Sequence, residues 1–132
     1  MTEPVITAEE HASFDEHDEV AEALNRYIDA ARTGDAGLMR DVWFDHARVV
    51  GSIGGNPVNL TAKDFCDMVD GRDGSPDLKA RIASIDISGD AAVARIEFDG
   101  LAGKRFTDFM ILYRREGVWR ISGKVYDAHS QS

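Results

Sequence analysis

The stretch ARIEFDGLAGKRFTDFMILYRREGVWRISGKVY, residues 94–126, decides the architecture. Ala94, Ile96 and Phe98 alternate with Arg95, Glu97 and Asp99, the period-two pattern of a strand buried on one face. Gly100 to Gly103 turns the chain. Residues 106–113 and 118–126 are rich in aromatic and branched residues and flank Arg115-Glu116-Gly117, which reads as the turn of a hairpin. Upstream, Ala83, Ile85 and Ile87 alternate, and Gly89-Asp90 turns again. The C-terminal half is thus an antiparallel meander. The expected inward face carries Phe109, Ile111, Tyr113, Trp119 and Ile121, and the outer face Arg95, Glu97, Asp99, Asp108 and Lys124. Folding the last hairpin about Glu116 puts Asp108 opposite Lys124, a modestly stabilising cross-strand ion pair.

The N-terminal half is helical first. Residues 1–12 read as a loose acidic arm, and Ser13 or Asp15 can cap the helix that follows. Val20, Leu24, Tyr27, Ile28 and Ala31 recur at helical spacing, and Gly34 closes the helix near Thr33. Asp35 caps a second, shorter helix bearing Leu38, Met39, Val42 and Trp43. Residues 47–53 form a first strand, Gly54-Gly55-Asn56-Pro57 a turn, and residues 58–60 a short second strand. Thr61 caps a third helix with Phe65, Met68 and Val69, ending near Gly71; residues 72–77 are a loop. Three helices followed by a meander define an α+β fold with helices on one face of an antiparallel sheet. The 132 residues suffice for one core, so residues 13–128 make a single domain and 129–132 a tail.

Hydrophobic residues at 43% against 30% charged suit a globular chain, and no apolar run nears the roughly 20 residues of a membrane helix. Net charge is −9, which disfavours nucleic acid and anionic membranes as partners. Seven of the acids lie in residues 1–19, which hold no Lys or Arg. The start lacks a basic region followed by an apolar one, so the expected location is the cytoplasm. Cys66 is the single cysteine, so no internal disulfide forms.

The run Arg26-Tyr27-Ile28-Asp29-Ala30-Ala31-Arg32-Thr33-Gly34-Asp35, then Phe44-Asp45-His46-Ala47, resembles the opening of the nuclear transport factor 2-like (NTF2-like) superfamily. That superfamily includes ketosteroid isomerase and SnoaL-like proteins. Phe106-Thr107-Asp108-Phe109, then Leu112, Gly117-Val118-Trp119-Arg120-Ile121 and Lys124-Val125-Tyr126, resemble its putative lumazine-binding branch more closely. The resemblance spans residues 14–128. It implies a cone of curved sheet wrapped around the first helix, three helices in the concave side, a pocket at the open end and a homodimer. The fold hosts enzymes, binders and assembly domains, so it leaves function open.

The resemblance places Tyr27 where, in the ketosteroid isomerase branch, a tyrosine donates a hydrogen bond to a developing enolate; the plainer reading is a core aromatic whose hydroxyl is satisfied internally. The carboxylate base expected late in the first strand is missing from Val49-Val50-Gly51-Ser52-Ile53. Asp108 is nearest to the second acid of that branch, but the alternation turns it outward. His46 is a candidate general base or a surface histidine. Cys66 reads as a small buried filler, Gly51 to Gly55 as a turn and not a phosphate loop, and Asp70 to Asp77 lacks calcium-loop spacing. No metal motif is present and no cofactor is implied. The expected pocket is walled by Tyr27, Trp43, Phe65, Met68, Phe98, Phe109, Ile111 and Trp119 and takes a small apolar molecule. Three functions stay open: a small-molecule binder, an isomerase, cyclase or dehydratase with Tyr27 as polariser, or an assembly domain whose pocket is filled.

Overall fold

A computed structural model describes residues 8–129 of the chain. The first helix, α1, runs Ala8–Thr33 and begins several residues before the expected caps at Ser13 or Asp15. The segment Ala8-Glu9-Glu10 is made of good helix formers, and acids in a first turn favour the positive end of the helix dipole. Of the expected arm, residues 1–7 lie outside the described residues, as do 130–132 of the tail. Val20, Ala23, Leu24, Tyr27, Ile28 and Ala30 form its buried face. Helix α2 (Ala36–Asp41) is capped by Asp35, whose side chain accepts from the Leu38 N–H. Helix α3 (Ala62–Asp70) is capped by Thr61, whose hydroxyl accepts from the Asp64 N–H.

Among the described residues there are six strands: β1 (Arg48–Ile53), β2 (Asn56–Thr61), β3 (Lys79–Ser88), β4 (Ala91–Leu101), β5 (Lys104–Arg115) and β6 (Val118–Ala128). They form one curved sheet in the order β2-β1-β6-β5-β4-β3. The sheet is mixed rather than wholly antiparallel, because β1 joins β6 in parallel, Val49 opposite Lys124. The chain leaves β2 through α3 and returns by the meander from the far edge, so β6 reaches β1 running in the same direction. Hydrogen bonds from Ile121 N to Val42 O and from Phe44 N to Ile121 O extend this seam. Gly54 and Gly55, both at positive φ, form the β1–β2 turn, which leaves Gly51 and Pro57 inside strands; Pro57 is tolerated because β2 is an edge.

The inward register of the last hairpin differs from expectation. Asp108, Met110 and Leu112 are buried, whereas Phe109, Ile111 and Tyr113 face the opposite, convex side. In β6, Trp119 and Ile121 face in, and so do Lys124 and Tyr126. In β5 the phase follows from the turn, which is two residues, Glu116-Gly117, so that Arg115 pairs with Val118 and Leu112, in place of Ile111, faces the inward Ile121. Within β6 a bulge changes the phase: Ile111 pairs with Gly123 and Leu112 with Ile121, leaving Ser122 as an extra residue. The FMILY run, residues 109–113, is apolar on both faces, so alternation alone carries no sign of which face turns in. The bulge also corrects the ion-pair register. Asp108 sits opposite Tyr126 and Met110 opposite Lys124, so Asp108 and Lys124 are diagonal neighbours on the inner face.

Candidate functional site

Tyr27, Asp108 and Lys124 converge from α1, β5 and β6. Their side chains are almost fully buried, with Tyr27 and Asp108 1% exposed and Lys124 6%. The Tyr27 hydroxyl donates to Asp108 Oδ2 at 2.7 Å and accepts from Lys124 Nζ at 2.8 Å; Lys124 Nζ also lies 3.5 Å from Asp108 Oδ2. The result is a directed chain of donors, ammonium to phenol to carboxylate. Burial, and then the Asp108 carboxylate beside it, pushes the Tyr27 phenol well above its ordinary range. Burial lowers the Lys124 amine, and Asp108 offsets part of that effect. The Lys124 ammonium also faces rings, with the centroids of Phe65 at 4.5 Å, Tyr126 at 5.2 Å and Tyr27 at 5.4 Å.

Local packing sets this geometry. Trp43 and Phe98 pack edge-on against the Tyr27 ring, at 5.9 and 6.0 Å, and so hold its hydroxyl toward β5 and β6. The Tyr126 ring lies over Gly51, where a Cβ would come within 2.6 Å of it. Gly51 is therefore a strand position shaped to admit an aromatic ring.

The triad sits in a cavity of about 370 Å³. Its wall is mostly apolar, with Phe65, Met68, Val69, Val58 and Leu60 from α3 and β2, and Phe106 and Tyr126 from the sheet. Exposed Ile53, Arg72 and Ala102 mark the mouth. Of the expected pocket residues, Tyr27, Phe65 and Met68 line this cavity. Trp43, Phe98 and Trp119 are buried in the core and shape it from behind. Phe109 and Ile111 are on the other side of the sheet, 46% and 53% exposed, because of the register described above. His46 is exposed, stacked on Phe44 at 5.1 Å, and its Nε2 lies 2.7 Å from Ser122 Oγ. Cys66 is buried, and that burial raises its thiol. Among the described residues, no group of three or more His, Cys, Asp or Glu side chains is arranged to hold a metal, and no helix is long and apolar enough to cross a membrane.

Sequence reasoning missed Lys124 and Tyr126 as cavity residues and turned Asp108 the wrong way. A usable signal was present: an acid next to the apolar run 109–113 and a lysine in the strand paired with it are costly to bury unless they are paired with each other. The chemistry differs correspondingly from the expectation for Tyr27. Its one proton is already engaged by Asp108, so the donors left for an incoming oxygen belong to Lys124.

Helices cradled by a curved sheet, with a cavity enclosing polar groups between them, define a protein of the NTF2-like superfamily. The chain belongs to the putative lumazine-binding family, whose model matches residues 15–127. An NTF2-like protein of unknown function from Shewanella baltica is 32% identical, covering 96% of this chain and 100% of its own, with a TM-score of 0.83. One from Methylobacillus flagellatus is 30% identical over 88% of this chain and 94% of its own, TM-score 0.83. A ketosteroid isomerase-like protein from Erwinia carotovora atroseptica shares the fold at 15% identity, covering 86% of this chain and 96% of its own, TM-score 0.68. No curated protein matches the chain.

Proposed function

We propose that the protein binds a small, largely apolar molecule whose oxygen docks at Lys124. The observation that carries this is the Tyr27–Asp108–Lys124 chain at one end of an otherwise apolar cavity. A pocket filled by the protein's own side chains, as in an assembly domain, would not leave about 370 Å³ beside these groups. The family name makes lumazine, a flat heteroaromatic with ring carbonyls, a natural first probe, and 3-phenylpropanol a second of simpler chemistry. In calorimetric titration, Lys124→Met should weaken binding by about 1.5–3 kcal/mol, the loss of a charged donor, and Tyr27→Phe by about 0.5–1.5 kcal/mol. Wild-type protein that binds neither probe at millimolar concentration, or variants that bind as tightly as wild type, would sink the proposal. A reducing cytoplasm suits a chain whose single cysteine is a buried free thiol.

One observation favours a second reading, an isomerase, cyclase or dehydratase. Asp108 lines the cavity and touches Tyr27, so an acid–base group is within reach of a ligand. Its carboxylate is already engaged by two partners and the first strand holds no base, so binding without turnover is the reading we favour. Turnover of a bound ketone or β-hydroxy ketone that disappears in Asp108→Asn would reverse that preference.

We also infer a homodimer through the convex face. The convex face carries Arg95, Glu97 and Asp99 as expected, but Asp108 and Lys124 turn inward and an apolar patch lies beside those charges: Val93 pairs with Ile111 and Phe109 with Val125, and these four side chains are 45–56% exposed. Burial of such a patch depends little on ionic strength, in contrast to a charge-paired contact. Sedimentation should show a dimer that persists in 1 M salt, in the sense of the high-salt limit of screening. Ile111→Lys, a change at an exposed position, should raise its dissociation constant on the order of a hundredfold or more, roughly the 3 kcal/mol of a hot-spot residue. A monomer at tens of micromolar, on the order of intracellular-range dimer affinities, would contradict the interface.

A further inference from the structure

Resting on the ligand site proposed above, we infer that Lys124 captures an apolar aldehyde or ketone covalently, as an imine formed inside the cavity. Three features of the site converge on this. The amine stands at the wall of an apolar cavity, nearly out of solvent, which is the setting in which a lysine becomes a nucleophile. It has a route for its proton, since Lys124 donates to Tyr27 and Tyr27 donates to Asp108 Oδ2. It is also surrounded by groups that tolerate a positive charge at nitrogen after the reaction: Asp108 Oδ2 at 3.5 Å and the rings of Phe65 and Tyr126.

The step balances within these groups. A proton moves from the ammonium to the phenol oxygen while the phenol proton moves to Asp108, leaving a neutral amine, an intact phenol and a carboxylic acid. The nitrogen lone pair adds to the carbonyl carbon, and the C=O π pair goes to oxygen, which takes a proton from nitrogen to give the carbinolamine. The C–O bond then breaks, and the hydroxyl leaves as water with the proton returned from Asp108 through Tyr27. The product is an iminium beside the Asp108 carboxylate. Nothing is oxidised or reduced, and the charge of the site is the same before and after. The ion pair and aromatic wall that hold the ammonium therefore hold the iminium as well.

Burial lowers the Lys124 amine, whereas an exposed lysine titrates near ~10.4 and is almost wholly protonated at neutral pH. Selectivity for Lys124 should thus be greatest near neutrality and shrink as pH rises toward that value. The chain has only four lysines, Lys63, Lys79, Lys104 and Lys124, so modification is easily mapped. The experiment treats the full chain at neutral pH with 3-phenylpropanal and cyanoborohydride, and follows each lysine by peptide mass spectrometry. We expect Lys124 to be trapped faster than each of the others, because burial leaves more of it as the neutral amine. An excess of 3-phenylpropanol, which cannot form an imine, should protect Lys124 and leave Lys63 unaffected. Lys124→Met should lose this adduct alone, and the protection arm gives the same answer in wild-type protein if that variant does not fold. Labelling of Lys124 no faster than the rest overturns covalent capture. If 3-phenylpropanol or lumazine still binds, the ligand site proposed above survives; if neither does, both fall.

Discussion

Asp108→Ala should destabilise the folded protein by about 3–5 kcal/mol, the usual consequence of removing one partner of a buried charge pair. Lys124 is only 6% exposed, and without Asp108 its ammonium has no opposite charge in the cavity wall; Tyr27 simultaneously loses the acceptor of its hydroxyl. For a chain of this length, each kcal/mol shifts the thermal midpoint by roughly 3–5 °C, so a drop of roughly 10–20 °C is expected by circular dichroism. Combining Asp108→Leu, Lys124→Met and Tyr27→Phe removes every polar group of the triad at similar volume and should recover most of the loss. The pair would then be retained for its chemistry and not for stability. A single-variant loss below about 1 kcal/mol, the scale of an exposed ion pair, would mean that water or rearrangement relieves Lys124.

Gly74→Ala should cost about 2–5 kcal/mol and open the cavity mouth. Gly74 has φ +79°, which costs an alanine roughly 1–2 kcal/mol. A Cβ there would also lie 2.7 Å from Arg32 O and from the backbone of Thr33 and Gly34, and overpacking adds about 1–3 kcal/mol. This approach docks the loop after α3 on the end of α1, where the Ser75 N–H donates to the Ala31 and Arg32 carbonyls that the helix leaves unpaired. The Ser75 hydroxyl in turn accepts from the Ala102 N–H, so one contact ties together three parts of the cavity rim. Gly89→Ala is the control. Gly89 has φ +59° with nothing within 4 Å of the added Cβ, so only the conformational cost of about 1–2 kcal/mol applies. Equal midpoints for the two variants would show that the loop is not clamped.

The elements of this fold were legible from local chemistry. Val20, Leu24, Tyr27 and Ile28 share a helical face in any environment, and Asp35 and Thr61 cap the helices they precede because a cap needs only neighbouring N–H groups. Strand positions, turns and the place of Tyr27 on the inner face of α1 followed in the same way. The site was different, because it depends on which face of β5 turns inward. The FMILY run is apolar on both sides, so its period has no phase; the two-residue turn at Glu116-Gly117 sets it by placing Leu112 opposite the inward Ile121, and the extra residue Ser122 in the neighbouring strand then turns Lys124 inward beside Asp108. Local sequence has no term for that bulge. It is decided where Asp108 and Lys124, each too costly to bury alone, find each other and Tyr27 across three elements. Sequence by itself thus determined the parts and the hollow between them. Only tertiary structure decided that the charge pair lies in the hollow and that Phe109, Ile111 and Val125 lie outside it, since one residue of turn register or one bulge exchanges the faces of a strand.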